Sequence, residues 1–244
     1  MSKRWLMLCV LICATSALWS SGEPYVSQCG QDRLLNECFF RNKKDGVSVA
    51  IGAHDGISGS NTYFFEKALG WTGICFEPMP NTFEVLTENR TCVCLNSCVA
   101  NATGAMPFIW VQSKGGVDML SGLQASYDPR HWARMQDECQ QQGGTYKIID
   151  VQAVVLNDIL AQYNITTIDY LSVDTEGNEL DILQSIDFDA ITIAAISVEN
   201  NYREPYIRNF LTSKGFSLVY VFMGFDELYI NNYYLSQLYR SPQP

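Results

Sequence analysis

Four short stretches place a glycine turn or carboxylates directly after apolar runs: Gly52-Ala53-His54-Asp55-Gly56, Glu77-Pro78, Asp174-Thr175-Glu176-Gly177 and Glu199-Asn200. A carboxylate accepts hydrogen bonds from paired hydroxyls, attracts a cation or takes up a proton. A glycine turn lets backbone approach a ligand closely, although glycines also end many strands where nothing binds. Spacing sharpens the reading. Glu77 follows Gly52 by 25 residues, and an acidic side chain at the end of the next strand can bind both hydroxyls of a ribose.

A dinucleotide fingerprint would need Gly at His54 and Gly or Ala at Ile57, and both are absent. A nucleoside is therefore favoured over a pyrophosphate. With no lysine or arginine near the turn and an acidic rim, the expected ligand carries no phosphate. S-adenosylmethionine fits, since its sulfonium is cationic and its ribose hydroxyls are free.

The elements that must position these residues alternate. Val47 to Ile51 is an apolar run without alternation, as in a strand covered on both faces. A helix over 61–69, capped by Ser60 and stopped by Gly70, a strand over 72–76, a helix over 81–89 and a strand over 92–99 follow. The rhythm resumes with a helix over 156–163, a strand over 168–173, a helix over 179–186, a strand over 191–198 and a helix over 206–214. Strands over 216–222 and 227–230 close the chain as a hairpin. This pattern predicts a doubly wound, mostly parallel α/β sheet with helices on both faces, whose ligands sit beyond the carboxyl ends of the strands.

The stretch 113–145 interrupts the rhythm. Asp128-Pro129 starts a helix there and Gly143-Gly144 stops it near Gln142, so the insertion is either a lid over an acceptor pocket or a structural cover. His54 reads as a solvent-facing turn residue, and His131 carries a weaker signal still. The aromatic run over 229–239 reads as strand and edge packing.

The chain has 244 residues, 47% hydrophobic and 17% charged, enough for one full core. Lys3 and Arg4 precede an apolar run and then Ser20-Ser21-Gly22, which predicts a signal peptide over 1–22, a lead-in over 23–45 and one domain over 46–244. The expected location is the secretory lumen or outside the cell, with membrane attachment only if the leader stays as an anchor. Without Lys3 and Arg4, 14 basic residues face 26 acidic ones. Such a surface repels nucleic acid. Cys29, Cys38, Cys75, Cys92, Cys94, Cys98 and Cys139 remain, an odd number in which structural disulfides and buried thiols are expected. Asn89, Asn101 and Asn164 begin glycosylation triplets.

Five ordered blocks, G-Q-D-R-L-L, I-G-A-H-D-G-I-S-G-S-N-T-Y-F-F-E-K, G-W-T-G-I-C-F-E-P-M-P, I-D-Y-L-S-V-D-T-E-G-N-E-L-D-I-L and I-S-V-E-N-N, resemble the FkbM family of S-adenosylmethionine-dependent methyltransferases. The resemblance runs from about Gln28 to Ile230. It implies a class I methyltransferase, Rossmann-like fold with a seven-stranded sheet, and O-methylation of a small-molecule, lipid or glycan acceptor. Similar secretory domains of the Star type are regarded as trafficking factors, so a non-catalytic binding protein is the alternative.

Ala50 stands where the family has Asp. Losing one charge-assisted hydrogen bond of ~1.5–3 kcal/mol would weaken cofactor affinity roughly ten- to hundred-fold.

On this resemblance Gly52, Ala53 and Gly56 form the cofactor turn, Asp55 accepts from its amino group, and Glu77 holds the ribose. Asn61 offers its amide to the carboxylate or merely caps its helix, and Cys98 and Val99 border adenine or pack the core. Asp174 is the expected general base. Glu176 assists it or caps the following helix. Glu199-Asn200 with Asp174 matches the ligand set of catechol-type methyltransferases, where a divalent cation such as Mg2+ would bind.

Overall fold

The computed structural model describes residues 25–113 and 116–240. The expected leader lies outside them, and among the described residues no helix is long and apolar enough to cross a membrane. The apolar run Val47–Ile51 forms β1 at the centre of the main sheet, with β2 (Thr72–Phe76) on one side and β8 (Thr167–Val173) on the other. The remaining main-sheet strands are β3 (Val93–Leu95), β9 (Thr192–Glu199), β10 (Phe216–Phe222) and β11 (Asp226–Asn231). Their order is β3-β2-β1-β8-β9-β11-β10, parallel except for β11, which is antiparallel to both neighbours.

Neighbouring side chains along each strand enter opposite cores. Leu171 and Ile196 pack with Leu156, Leu160, Ile182, Leu183, Ile207 and Leu211, from helices α5 (Leu156–Gln162), α6 (Glu179–Ser185) and α7 (Pro205–Ser213). Tyr170 and Ala195 pack on the other face with Phe64, Phe65 and Leu69 of α2 (Tyr63–Leu69) and Leu235 of α8 (Asn232–Arg240). The sheet is therefore doubly wound, as the alternation predicts. The lead-in belongs to this second core. Leu34 and Leu35 are buried where α1 (Gln31–Leu34) widens into a π-helical stretch (Leu35–Phe40), and Gln31 Nε2 donates to Asp226 Oδ2 at 2.7 Å.

Three sequence expectations change. The helix expected over 61–69 starts at Tyr63, with the Ser60 hydroxyl accepting from the Tyr63 amide at 3.2 Å. Helix α3 starts one residue early, at Pro80, and runs to Asn89. The strand expected over 92–99 splits, because Asn96 turns its amide onto the carbonyls of Glu77 and Pro78 at 2.9 and 3.2 Å. Only β3 stays in the main sheet, while β4 (Cys98–Val99) opens a second one.

That second sheet, ordered β4-β7-β5-β6, enlarges the insertion well beyond 113–145. β5 (Gly104–Gln112) and β7 (Thr145–Val154) pair antiparallel along their length, and β6 (Gly122–Leu123) adds to β5. Between them, α4 (Pro129–Gln142) begins where Asp128 accepts the Arg130 amide at 2.7 Å and ends at Gly143, as the sequence predicts. Cys29, Cys75, Cys92, Cys94, Cys98 and Cys139 carry free thiols in place of the disulfides expected, with the Cys75 and Cys92 sulfurs 3.5 Å apart. Asn101 and Asn164 are exposed, whereas Asn89 donates its side-chain amide to the Asp55 carbonyl at 2.8 Å.

Candidate functional site

The strand order reverses at β1: the chain runs outward through β2 and β3, then returns to β8 beside β1. A cavity of about 610 Å³ opens at this switch point, at the carboxyl ends of the strands. Its floor is the turn after β1, where the amides of Gly52 and Ala53 both donate to the Phe76 carbonyl, at 3.1 and 2.9 Å. Gly52 has φ +81°, and the Asp174 backbone fills the space a side chain would need.

Glu77 lies at the end of β2, 3% exposed. Its carboxylate accepts the His54 amide at 2.9 Å and the Met79 amide at 2.8 Å. These two donors pin it against the cavity and leave a lone pair on each oxygen. Burial pushes its pKa up to about 7, and the amides of Met79 and His54, with the charge of His54, offset part of that rise. Ala50, Ala53, Cys98 and Val99 also line the cavity. Val99 packs in the first core as well, so core packing and a place on the cavity wall coexist in that residue.

Three expected cofactor contacts are corrected. Asp55 does not face the cavity: Oδ1 accepts the amides of Ile57 and Ser58 at 2.8 and 2.7 Å, and Oδ2 takes the Ser58 hydroxyl at 2.6 Å. Its carboxylate closes its own turn. Gly56 faces the opposite side, where a β-carbon would meet Arg90 Cγ and Leu86 Cδ1 at 2.7 Å. Asn61 does line the cavity, but its amide donates to Ser172 Oγ at 3.0 Å, and its Oδ1 is buried and without a donor.

On the other side, Asp174, Glu176 and Glu199 meet. One carboxylate oxygen from each lies within 4.8 Å of the others. Burial raises Asp174 to about 7, helped by the charges of Asp226 and Glu179. Burial and the neighbouring carboxylates raise Glu176 and Glu199 well above the usual range. Glu176 holds φ +60°, a strained backbone for a residue with a side chain. Its capping role falls to Glu179, whose Oε1 accepts the Thr175 amide at 2.9 Å and the Gly177 amide at 3.0 Å. Asn200, expected beside Glu199 as a cation ligand, turns away: Nδ2 donates to the Glu204 carbonyl at 3.0 Å and Oδ1 accepts the Glu204 amide at 2.9 Å.

Both histidines are more engaged than the sequence suggests. His54 lines the cavity with φ +48°, its Nε2 3.2 Å from Asp118 Oδ2. His131 is buried on α4, its Nε2 3.3 Å from Glu176 Oε2. A legible signal did exist, since His131, Met135 and Cys139 form a buried stripe at helical spacing. The insertion is fastened here by Asn178, whose amide donates to the Val99 carbonyl at 3.0 Å, and by Arg130, which bonds Glu204 at 3.2 Å. It thus covers the acidic side of the cavity.

Residues 50–218 match the Methyltransferase FkbM domain. The methyltransferase sdnD of Sordaria araneosa is 24% identical over 166 residues, which cover 59% of this chain and 64% of that protein's length. Among solved structures, the methyltransferase FkbM from Methylobacillus flagellatus KT is 12% identical with a TM-score of 0.46, covering 78% of this chain and 44% of its own. A methyltransferase from Pyrococcus furiosus is also 12% identical, with a TM-score of 0.40 and coverage of 95% and 99%. With a domain match spanning well over half its length, the chain belongs to the FkbM methyltransferase domain family.

Proposed function

We propose that this protein transfers a methyl group from S-adenosylmethionine to a hydroxyl oxygen of a glycan, lipid or small metabolite in the secretory pathway. The observation that carries the reading is the opening of Glu77 and Asp174 onto one cavity from the two strands that flank β1. The residues present suit the cofactor. Glu77 has spare lone pairs for the two ribose hydroxyls, and the unpartnered Asn61 Oδ1 would accept from the amino group of the methionine end. Cys98 and Val99 offer an apolar border for adenine.

When bound, S-adenosylmethionine supplies an electrophilic methyl group on a cationic sulfur. Asp174 orients the acceptor hydroxyl and takes its proton as the new carbon–oxygen bond forms. The insertion excludes water from that side. Ala50 favours a second reading: a small apolar side chain lines the cavity where the family has an acid, as in a luminal protein that keeps the fold and has left catalysis.

Calorimetric titration with S-adenosylmethionine, paired with Glu77→Ala, tests the first reading. Binding that disappears in the variant supports it. Absence of heat with the parent protein at millimolar cofactor would replace it with the second.

A further inference from the structure

Helix α4 carries one polar atom that its surroundings do not satisfy. His131 is 1% exposed, and its Nε2 makes no hydrogen bond. That atom sits 3.3 Å from Glu176 Oε2, within range of a hydrogen bond but not aligned for one. With Glu176 ionised, neither neutral tautomer resolves the conflict. Protonated, Nε2 has no acceptor in line; unprotonated, its lone pair faces a carboxylate. A positive ion between the two atoms removes it.

The carboxylates opposite suit the same partner. The Asn201 amide donates to Glu176 Oε2 at 3.3 Å, and Asp174 and Glu176 each meet the Glu199 side chain. Arg134 is the cation whose charge bears on Glu176, and its guanidinium is committed to Glu138 at 2.7 Å. Atoms bound to one ion at ~2.1 Å lie ~3 Å apart when adjacent and ~4 Å apart when opposite. The 3.3 Å contact matches the first separation, and the 4.8 Å outer spread needs only a small side-chain closure to reach the second.

We propose that Asp174, Glu176 and Glu199, joined by His131 from the insertion, form a divalent-cation site on the acceptor side of the cavity. Carboxylate oxygens with a single imidazole suit Mn2+. One oxygen from each carboxylate suffices, so Asp174 keeps its second oxygen for the acceptor. An octahedral ion held by these side chains retains open positions for acceptor oxygens. The site differs from the set that spacing suggests, because Asn200 is turned away and His131 enters from outside the parallel sheet. Its use in methyl transfer rests on the function proposed above; the ion site itself does not.

The test is a Mn2+ titration of the chelator-treated protein without S-adenosylmethionine, followed by the loss of the free-ion EPR signal. Binding of Mn2+ in equal proportion to protein is expected. Glu199→Gln should abolish it, and His131→Gln should raise the Kd at least ~tenfold. Pulsed EPR of the Mn2+-loaded parent should show coupling to an imidazole nitrogen, which decides the matter even if a variant fails to fold. No uptake by the parent, or bound Mn2+ without nitrogen coupling, would overturn the site. Because cofactor is absent throughout, this failure is distinguishable from a failure to bind S-adenosylmethionine.

Discussion

The backbone carbonyl oxygen of Asp174 lies 1.8 Å from the position a β-carbon on Gly52 would occupy. The glycine turn after β1 and the end of β8 are thus interlocked, and Gly52 is required by close approach as well as by its φ. Gly52→Ala should cost ~1–2 kcal/mol from left-handed strain alone, which lowers Tm by ~2–8 °C, and the clash with the Asp174 carbonyl adds to it. Calorimetry should also find cofactor binding impaired.

Asp174→Asn keeps the shape of the side chain and removes its capacity to take a proton. Turnover should fall by ~10²–10⁴, measured as transfer of labelled methyl, while cofactor binding persists. Unchanged turnover would remove Asp174 from the chemistry.

Glu66 and Arg90 form a buried pair at 2.6 Å, with Arg90 also donating to Thr62 Oγ1 at 3.1 Å. Burial alone would raise Glu66, but the Thr91 amide and the Arg90 guanidinium outweigh it and hold the pKa at about 2. A folded value below the unfolded one stabilises the protein above pH ~4.3, and that contribution is lost as pH falls towards about 2. Urea midpoints should drop across this window in the parent and less in Glu66→Gln. At pH 7, Arg90→Met should cost ~3 kcal/mol by leaving Glu66 with only the partly exposed Lys67, at 3.1 Å, as a cationic partner.

Asp128 caps the helix that holds His131 over the acids. Asp128→Ala should cost ~1 kcal/mol. Hydrogen exchange should quicken over 129–142 more than in the main sheet.

Expressed through a secretory host, the chain should take glycans at the exposed Asn101 and Asn164. Asn89 should stay bare, its amide held by the Asp55 carbonyl and the hydroxyl of Thr91 held by Glu66 at 2.9 Å. Mass spectrometry of Asn→Gln variants separates the three sites.

The main sheet was legible because its strands are continuous apolar runs and its helices carry caps and stops, as at Gly70 and Asp128. Glu77, Asp174 and Glu199 were legible as strand ends. Asp55 was not, because a carboxylate in a glycine turn can bind a ligand or its own backbone, and only the geometry of Ser58 decides between them. β5 and β7 were missed since Pro107 sits inside one and the other exposes Tyr146 and Ile148 on its outer face. His131 reaches Glu176 across a long sequence separation, and no local pattern encodes such a meeting.

At one rim the main sheet stops with β3, a strand of three residues. Its ladder spans only ~10 Å, too little for an intruding extended segment to zip onto. At the opposite rim β10 shifts register between Leu218 and Tyr220, and such a kink spoils a flat template. The protein should therefore withstand crowding at high concentration without growing fibrils from its own edges.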